Sequence, residues 1–252
     1  TTVDELKAAA TALRDAGIQP LIVGGNDWSG QKLFFQIWQM FQEPTAAQQI
    51  MAEGGYCADA DSMKGIDLFV DLRDSGVFVD SVQGFTADDM NNTYYAADAA
   101  MMAAGSWAFA GAAEADEEGG TTVVSDTTLG GFPLPTGSAF DEPTVYNGFT
   151  GVGFMLTPKG ASPERIEASR EFILSFYEDQ SVADFVTIAN NVPPVEGDFA
   201  DAATNPLLGQ AIGLDASNAV LPDVWLGANG DPITQATHDV LAVASGGRRK
   251  FL

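Results

Sequence analysis

A tryptophan follows an apolar run that ends in a Gly-Ser pair. The segment 100–104 predicts a buried strand, Gly105 lets the backbone turn, and Trp107 follows at the carboxyl end of that strand. Ligand clefts of α/β proteins lie at the carboxyl ends of strands, and a large flat ring suits stacking on a ligand face. Trp107 is therefore the first candidate binding residue. The alternative is a core position, since most tryptophans are largely buried.

A second candidate loop has the same arrangement. Residues 18–23 predict a short buried strand that ends at Gly24 and Gly25, and Asn26, Asp27 and Trp28 come next. Asn and Asp supply hydrogen-bonding partners for hydroxyl groups, while Trp28 supplies a stacking face. An ordinary polar turn is the alternative interpretation.

Two further candidates lie later in the chain. Asn147 precedes a predicted strand over 151–156, and Trp225 precedes the last predicted helix. A plain turn explains Asn147 equally simply, and packing at the base of the last helix explains Trp225. By contrast, Trp38 lies on the apolar face of a helix predicted over 32–41, so we expect it in the core.

Composition limits the possible partners. The 252 residues are 46% hydrophobic and 10% aromatic, which is sufficient for one large domain or two modest lobes. The formal net charge of −24 repels phosphate, so nucleic acid and anionic lipid are poor partners. We interpret the acidity as a solvated surface, with cation binding as the alternative. No stretch approaches the roughly 20 apolar residues of a membrane span.

Cysteine and histidine are scarce in this sequence. Cys57 and His238 are each the single residue of their type, so disulfide frameworks and Cys- or His-rich metal sites are not expected. His238 lies in a predicted helix and reads as a solvated or satisfied side chain. We expect no catalytic residues, no metal and no cofactor.

The order of predicted elements alternates between strands and helices, which indicates an α/β fold with a parallel-rich sheet and helices on both faces. Helix starts are predicted at the capping patterns of Thr2, Asp61, Thr86 and Ser162. The sequence predicts a solvated loop over 114–120 and a strand fragment at Val123 and Val124. It predicts helix throughout the region after 197.

Five segments, in this order, resemble the sugar-binding family of extracellular solute-binding proteins of ABC importers, which includes maltose-binding protein. The segments are TVDELKAAATALRDAGIQPLIVGG (2–25), AMMAAGSWAF (100–109), GFPLPTG (131–137), GFTGVGFMLTPKGASPERIEASREFILSFYEDQSVADF (148–185) and NNVPPVEG (190–197). The resemblance implies a periplasmic-binding-protein-like (type II) two-lobe α/β fold, with one lobe largely present and the other partial. Residues 1–134 and 198–252 would form the carboxy-terminal lobe and 143–197 part of the amino-terminal lobe, with lobe crossings at 135–142 and 190–197.

The resemblance also implies a function. Such a protein binds a sugar or oligosaccharide in an inter-lobe cleft and delivers it to the ABC transporter permease subunits, without being an enzyme. It implies that Asn26, Asp27, Trp28 and Trp107 face the ligand, with Asn147 on the opposite wall and Trp225 as a third aromatic. An extracellular or periplasmic monomer is expected, joined to the membrane only through the permease or through a lipid anchor outside this sequence.

Two other functions remain open from the residues alone. A secreted acidic glycoside hydrolase also combines aromatic rings with carboxylates, and Asp27 with Glu142 or Asp223 can be nominated as its pair, although no spacing supports one. A carbohydrate-binding or adhesive surface protein is the other alternative, and it predicts no deep cleft.

Overall fold

The computed structural model of the chain describes residues 2–56, 58–146, 162–193, 195, 197, 199–214, 217–223 and 230–242. The chain divides into two compact units. Unit 1 contains Thr1–Gly105, Gly130–Gly148 and Leu214–Leu252, and unit 2 contains Ser106–Leu129 and Phe149–Gly213. The segment 106–129 thus groups with 149–213. Which lobe of a binding protein each unit represents stays a prediction.

The described elements alternate as an α/β chain does. In order they are α1 (Val3–Asp15), β1 (Gln19–Ile22), α2 (Trp28–Gln39), α3 (Pro44–Glu53), α4 (Ala60–Asp74), a 3₁₀ turn (Val82–Gly84), α5 (Ala87–Tyr95), β2 (Ala99–Met102), α6 (Ala108–Gly119), α7 (Val123–Asp126), β3 (Thr144–Tyr146), α8 (Pro163–Ser175), α9 (Asp179–Thr187), a second 3₁₀ turn (Ala200–Ala202), α10 (Pro206–Leu214), β4 (Ala219–Leu221) and α11 (Gly230–Ala242).

The strands of unit 1 pair in parallel, as the alternation predicts. β1 pairs with β2, with Ile22 opposite Met102, and β3 pairs with β4, with Tyr146 opposite Leu221. On the other edge of β1, the Leu21 N–H donates to the carbonyl of Val77 at 3.1 Å, which extends the parallel arrangement. Parallel strands need crossover connections, and helices supply them here.

The core of unit 1 forms around α2. Nine of the twelve residues of this helix are buried, and Trp38 is fully buried, which confirms its predicted core position. The Phe34 ring meets the Phe69 ring of α4 edge-on at 5.2 Å between centroids. A Cβ on Gly65 would lie 2.7 Å from the Trp38 Cα, so glycine is required where α4 crosses α2.

Helix starts follow the predicted capping chemistry, with one correction. Thr2 and Thr86 both form complete capping boxes, and Ser162 accepts a hydrogen bond from the Arg165 N–H. The prediction that Asp61 caps α4 is wrong. Asp59 is the N-cap, since its carboxylate accepts from the Ser62 N–H at 2.6 Å, and Asp61 lies within the first turn.

Three other local predictions are also wrong. Residues 114–119 are the end of α6, because alanine and glutamate favour helix and the glutamates Glu114, Glu117 and Glu118 are exposed. Val123 and Val124 begin the short helix α7, where the Asp116 carboxylate accepts from both backbone N–H groups at 2.8 and 2.9 Å. The region after 197 is not wholly helical, since β4 lies within it.

Unit 2 has a small core of its own. The buried apolar residues of its described part are Ala108, Phe109, Ala112, Val182, Val186, Leu207 and Leu208. The Asn205 side-chain amide donates to the Phe109 carbonyl at 3.0 Å, which ties α10 to α6. In contrast, α8 has no buried residue.

Candidate functional site

Glycines allow the backbone of the loop after β1 to pack closely against its neighbours. A Cβ on Gly24 would lie 2.9 Å from the Ala87 nitrogen, and a Cβ on Gly30 would lie 2.8 Å from the Gly24 carbonyl oxygen. The Asn26 N–H donates to the Phe85 carbonyl at 2.9 Å, which joins the loop to the segment before α5. The backbone that carries the predicted binding residues is therefore fixed from several directions.

Asp27 connects the starts of two helices. As the N-cap of α2, its carboxylate accepts from the Ser29 N–H and the Ser29 hydroxyl, each at 2.9 Å. The same carboxylate accepts from the Ala87 N–H of α5 at 2.5 Å. Negative charge is favoured at both helix amino termini. Asp27 thus has a clear structural role, and its predicted contact with a ligand stays a prediction.

Trp28 and Asn26 are the exposed members of this loop. Trp28 is the first residue of α2, and 38% of it is exposed, while its neighbours Ser29 and Gly30 are buried. A partly exposed tryptophan just after a strand lies where α/β proteins bind ligands.

His238 supports the same loop from α11. Its Nε2 lies 3.2 Å from the Asp27 carbonyl oxygen, so the ring is a satisfied helical side chain.

Trp107 lies at the start of unit 2. It occupies the N-cap position of α6, shortly after β2 ends, and 38% of it is exposed. The hydroxyl of Ser106 donates to the Asn191 side-chain oxygen at 3.0 Å, and this bond fixes the residue before the ring. Burial in the core, the alternative for Trp107, does not describe this position.

The remaining predicted site residues, Asn147 and Trp225, lie outside the described residues, as does Cys57. Within the described ranges, no group of three or more His, Cys, Asp or Glu side chains could hold a metal ion.

A polar cluster that the sequence did not predict follows the second pair of strands. The Lys32 ammonium of α2 donates to Asp223 Oδ1 at 2.7 Å and lies 5.7 Å from the centre of the Tyr146 ring. The Tyr146 hydroxyl donates to the same Asp223 oxygen. Tyr146 is the last residue of β3 and Asp223 follows β4, so the cluster lies at the carboxyl ends of parallel strands.

The three residues of α2 that are not buried form one stripe. They are Trp28, Lys32 and Gln36, spaced four apart and therefore on one face of the helix. The Gln36 amide donates to the Thr144 carbonyl at 2.8 Å, which fixes the stripe against β3. The signal in the sequence was a Trp-x₃-Lys-x₃-Gln spacing within a helix whose other polar residues are Ser29, Gln31 and Gln39.

Of the three carboxylates nominated for a hydrolase pair, Glu142 is exposed, while Asp27 and Asp223 both have protein partners. Asp27 accepts three hydrogen bonds from protein groups, and Asp223 forms an ion pair with Lys32 and accepts from Tyr146. Glycoside hydrolysis needs one carboxyl group to act as an acid and another as a base or nucleophile. This geometry favours structural and recognition roles for the two aspartates.

Comparison with known proteins identifies the family. Residues 1–208 match the family model described as bacterial extracellular solute-binding protein, and the chain belongs to that family. A comparison with curated protein sequences gives no match. Among the described residues, no helix is both long and apolar enough to cross a membrane.

Solved structures agree with the family. The chain is 36% identical to a probable secreted solute-binding lipoprotein from Streptomyces coelicolor, covering 100% of this chain and 62% of that one, with a TM-score of 0.79. It shares the fold of a chitin oligosaccharide binding protein (20% identity, coverage 100% and 62%, TM-score 0.74). It also shares the fold of maltose-bound T. maritima MalE3 (16% identity, coverage 99% and 63%, TM-score 0.69).

The predicted fold class is therefore confirmed: the chain has a periplasmic-binding-protein-like α/β fold, and it spans less than two thirds of the length of these similar structures. Its family consists of extracellular binding proteins, as the sequence predicted.

Proposed function

We propose that this chain is part of the substrate-binding component of an ABC importer, which binds a sugar or oligosaccharide and delivers it to the permease. The observation that carries the proposal is the pair of accessible tryptophans. Trp28 and Trp107 follow β1 and β2, two strands that pair in parallel, and each is 38% exposed. Sugar rings present apolar C–H faces, and accessible indole rings match those faces.

The polar groups near Trp28 suit a ligand rich in hydroxyls. Asn26 is exposed beside it, and Lys32 and Tyr146 hold Asp223 next to the middle of the same stripe. Asn147 and Trp225 are proposed to add a polar contact and a third aromatic contact. Proteins with this fold include one that binds chitin oligosaccharide and one bound to maltose, which supports a saccharide ligand.

We further propose that a longer polypeptide completes unit 2. Ile166, Phe172, Leu174, Phe176 and Tyr177 of the α8 region are all 36% exposed or more. Exposed apolar side chains in such number usually mark an interaction site on a protein surface. The similar structures are longer than this chain, and an amino-terminal portion of the lobe would supply the cover. As the resemblance implies, 143–197 is proposed as part of the amino-terminal lobe, and 1–134 with 198–252 as the carboxy-terminal lobe. The compact units divide the chain differently, since 106–129 and 198–213 group with 149–197 in unit 2.

The full-length protein is proposed to be a monomeric extracellular protein that acts without catalysis. Its partners are the sugar and the permease, with membrane attachment through the permease or a lipid anchor. The chitin oligosaccharide binding protein and the family description both concern binding proteins, which supports this choice over a hydrolase.

Calorimetric titration tests the proposal. The full-length protein is titrated with maltotriose, triacetylchitotriose and xylotriose, and each mixture is then analysed for hydrolysis products. Saturable binding of at least one sugar with no product is expected. Steady release of shorter sugars, abolished by Asp27→Asn, would establish the hydrolase instead.

A further inference from the structure

Besides a stacking ring, the Trp28–Lys32–Gln36 stripe and its partners present polar groups that could determine which ligands bind. We propose that Lys32, Tyr146 and Asp223 select an uncharged, hydroxyl-rich ligand and exclude carboxylated ones. The inference rests on the proposed sugar-binding function and assigns that site a specificity. Lys32, Tyr146 and Asp223 all belong to unit 1, so the contacts among them lie within one compact body.

The position of the cluster connects it to Trp28. Lys32 is one helical turn after Trp28 on the same face of α2. It reaches Asp223, which follows β4, and lies against the ring of Tyr146, the last residue of β3. An aromatic face and a polar group therefore share one helix surface at the carboxyl ends of strands, where α/β proteins bind ligands.

The charges within the cluster are already matched. The Lys32 ammonium pairs with the Asp223 carboxylate at 2.7 Å, and the two side chains are only 21% and 27% exposed. A partly buried lysine that has its counter-ion does not attract a second carboxylate strongly. In addition, the net charge of −24 opposes the approach of any anion.

The hydrogen-bonding chemistry favours hydroxyl groups. Carboxylate oxygens accept hydrogen bonds from hydroxyls, whereas they repel other carboxylates. Lys32 and Tyr146 both donate to Asp223 Oδ1, which fixes the orientation of the carboxylate. Lys32 is therefore a positioning residue, and Asp223 is the group that distinguishes a neutral sugar from a uronic acid.

The test compares an uncharged with a carboxylated trisaccharide. The full-length protein is titrated calorimetrically with maltotriose, triacetylchitotriose, xylotriose and trigalacturonate. We expect at least one uncharged probe to bind at least 100-fold more tightly than trigalacturonate. Asp223→Asn should reduce that ratio at least tenfold, because the Lys32 charge is then unmatched and available to a ligand carboxylate.

Two substitutions of Lys32 test whether it positions Asp223 for binding or only supports the fold. Lys32→Met should weaken binding of the uncharged probe at least tenfold, and Lys32→Arg should restore most of it, because the arginine retains a cationic donor. The matched control is the pair Lys64 and Asp61, also 2.7 Å apart but about half exposed on α4. Lys64→Met and Asp61→Asn should leave both affinities unchanged.

Each outcome decides the inference. An unchanged ratio in folded Asp223→Asn overturns it, and so does tight trigalacturonate binding by the wild type, while the sugar-binding function survives both results. If Asp223→Asn does not fold, Tyr146→Phe decides, since it removes only a hydroxyl. Unchanged affinity for the uncharged probe in that variant overturns the inference. A folded wild type that binds none of the uncharged sugars overturns the proposed function and the inference together.

Discussion

Helices α2 and α8 are of nearly equal length, yet they differ in how their apolar residues are covered. In α2, nine of twelve residues are buried, and the other three form one stripe at the proposed site. In α8, none of thirteen residues is buried, and Phe172 is 60% exposed. An apolar helix face is buried where a partner surface covers it, as around α2, whereas in the part of the chain that the structure describes no residue of α8 is buried.

The same contrast applies to stability. Burial of an apolar side chain contributes free energy only when a partner surface excludes water from it. Unit 1 supplies such partners to α2 from α4, β3 and α11. We expect unit 2 to gain them from the further polypeptide of the full-length protein.

The largest expected effect is at the centre of unit 1. Trp38→Ala should lower the free energy of unfolding by about 3–5 kcal/mol, as loss of a buried aromatic side chain does. Urea unfolding of the full-length protein, followed by circular dichroism, measures the change. Ile18→Ala is the control, because Ile18 is 44% exposed in the same unit and its loss should stay within about 0.5 kcal/mol.

The next effect tests whether α8 is covered. In the full-length protein, Phe172→Ala should lower the free energy of unfolding by about 2–4 kcal/mol, because the completed lobe buries the ring. Arg165→Ala, at an exposed position of the same helix, should change it by less than about 0.5 kcal/mol. Equal, small effects of both substitutions would contradict the proposed cover.

Much of this fold could be predicted from sequence, because local chemistry decides it. The capping boxes at Thr2 and Thr86 are recognisable within four residues, and β1 and β2 are short apolar runs that end at glycine or small residues. The burial of Trp38 follows from helical periodicity. Family resemblance added the class of fold.

The errors have a different physical origin. The acidic residues at the end of α6 led to the prediction of a loop, but glutamate and alanine are good helix formers. Helix α7 depends on Asp116, which lies outside the segment it caps. The Lys32–Asp223 pair joins residues far apart in sequence, and no local pattern specifies such a contact.

A smaller effect separates the structural role of Asp27 from its proposed binding role. Asp27→Ala should lower the free energy of unfolding by about 1–2 kcal/mol without any ligand, since two helix amino termini lose an acceptor. Thermal unfolding of the unliganded protein measures this loss. Asn26→Ala, at the exposed neighbouring position, is the control and should be nearly neutral.

The smallest effect depends on pH and lies at the N-cap of α4. Burial alone would raise the pKa of Asp59, but hydrogen bonds from Ser62, Gln42 and Asp61 outweigh it and hold the pKa below its ordinary value. A lowered pKa in the folded state adds stability at neutral pH, and that stability is lost as the pH falls through the folded pKa.

Asp59→Asn, which keeps a capping side chain but removes the charge, should therefore cost about 1 kcal/mol or less at pH 7. The difference between wild type and variant should shrink as the pH falls below the ordinary aspartate pKa of about 3.9. Urea unfolding of wild type and variant, at pH 7 and at a pH below about 3.9, measures the difference in free energy of unfolding. A difference that grows in acid would show that the charge does not stabilise the cap.

Sugar binding by this protein is proposed to depend on Trp28 and Trp107. Calorimetric titration of Trp107→Ala with the best-bound uncharged trisaccharide tests it most directly, with Trp28→Ala measured in parallel. Loss of a desolvated stacking ring typically costs about 2 kcal/mol or more, which is at least a tenfold loss of affinity. We expect Trp107→Ala to show that loss while its circular dichroism spectrum stays native, whereas unchanged affinity in the folded variant would exclude a stacking role for Trp107.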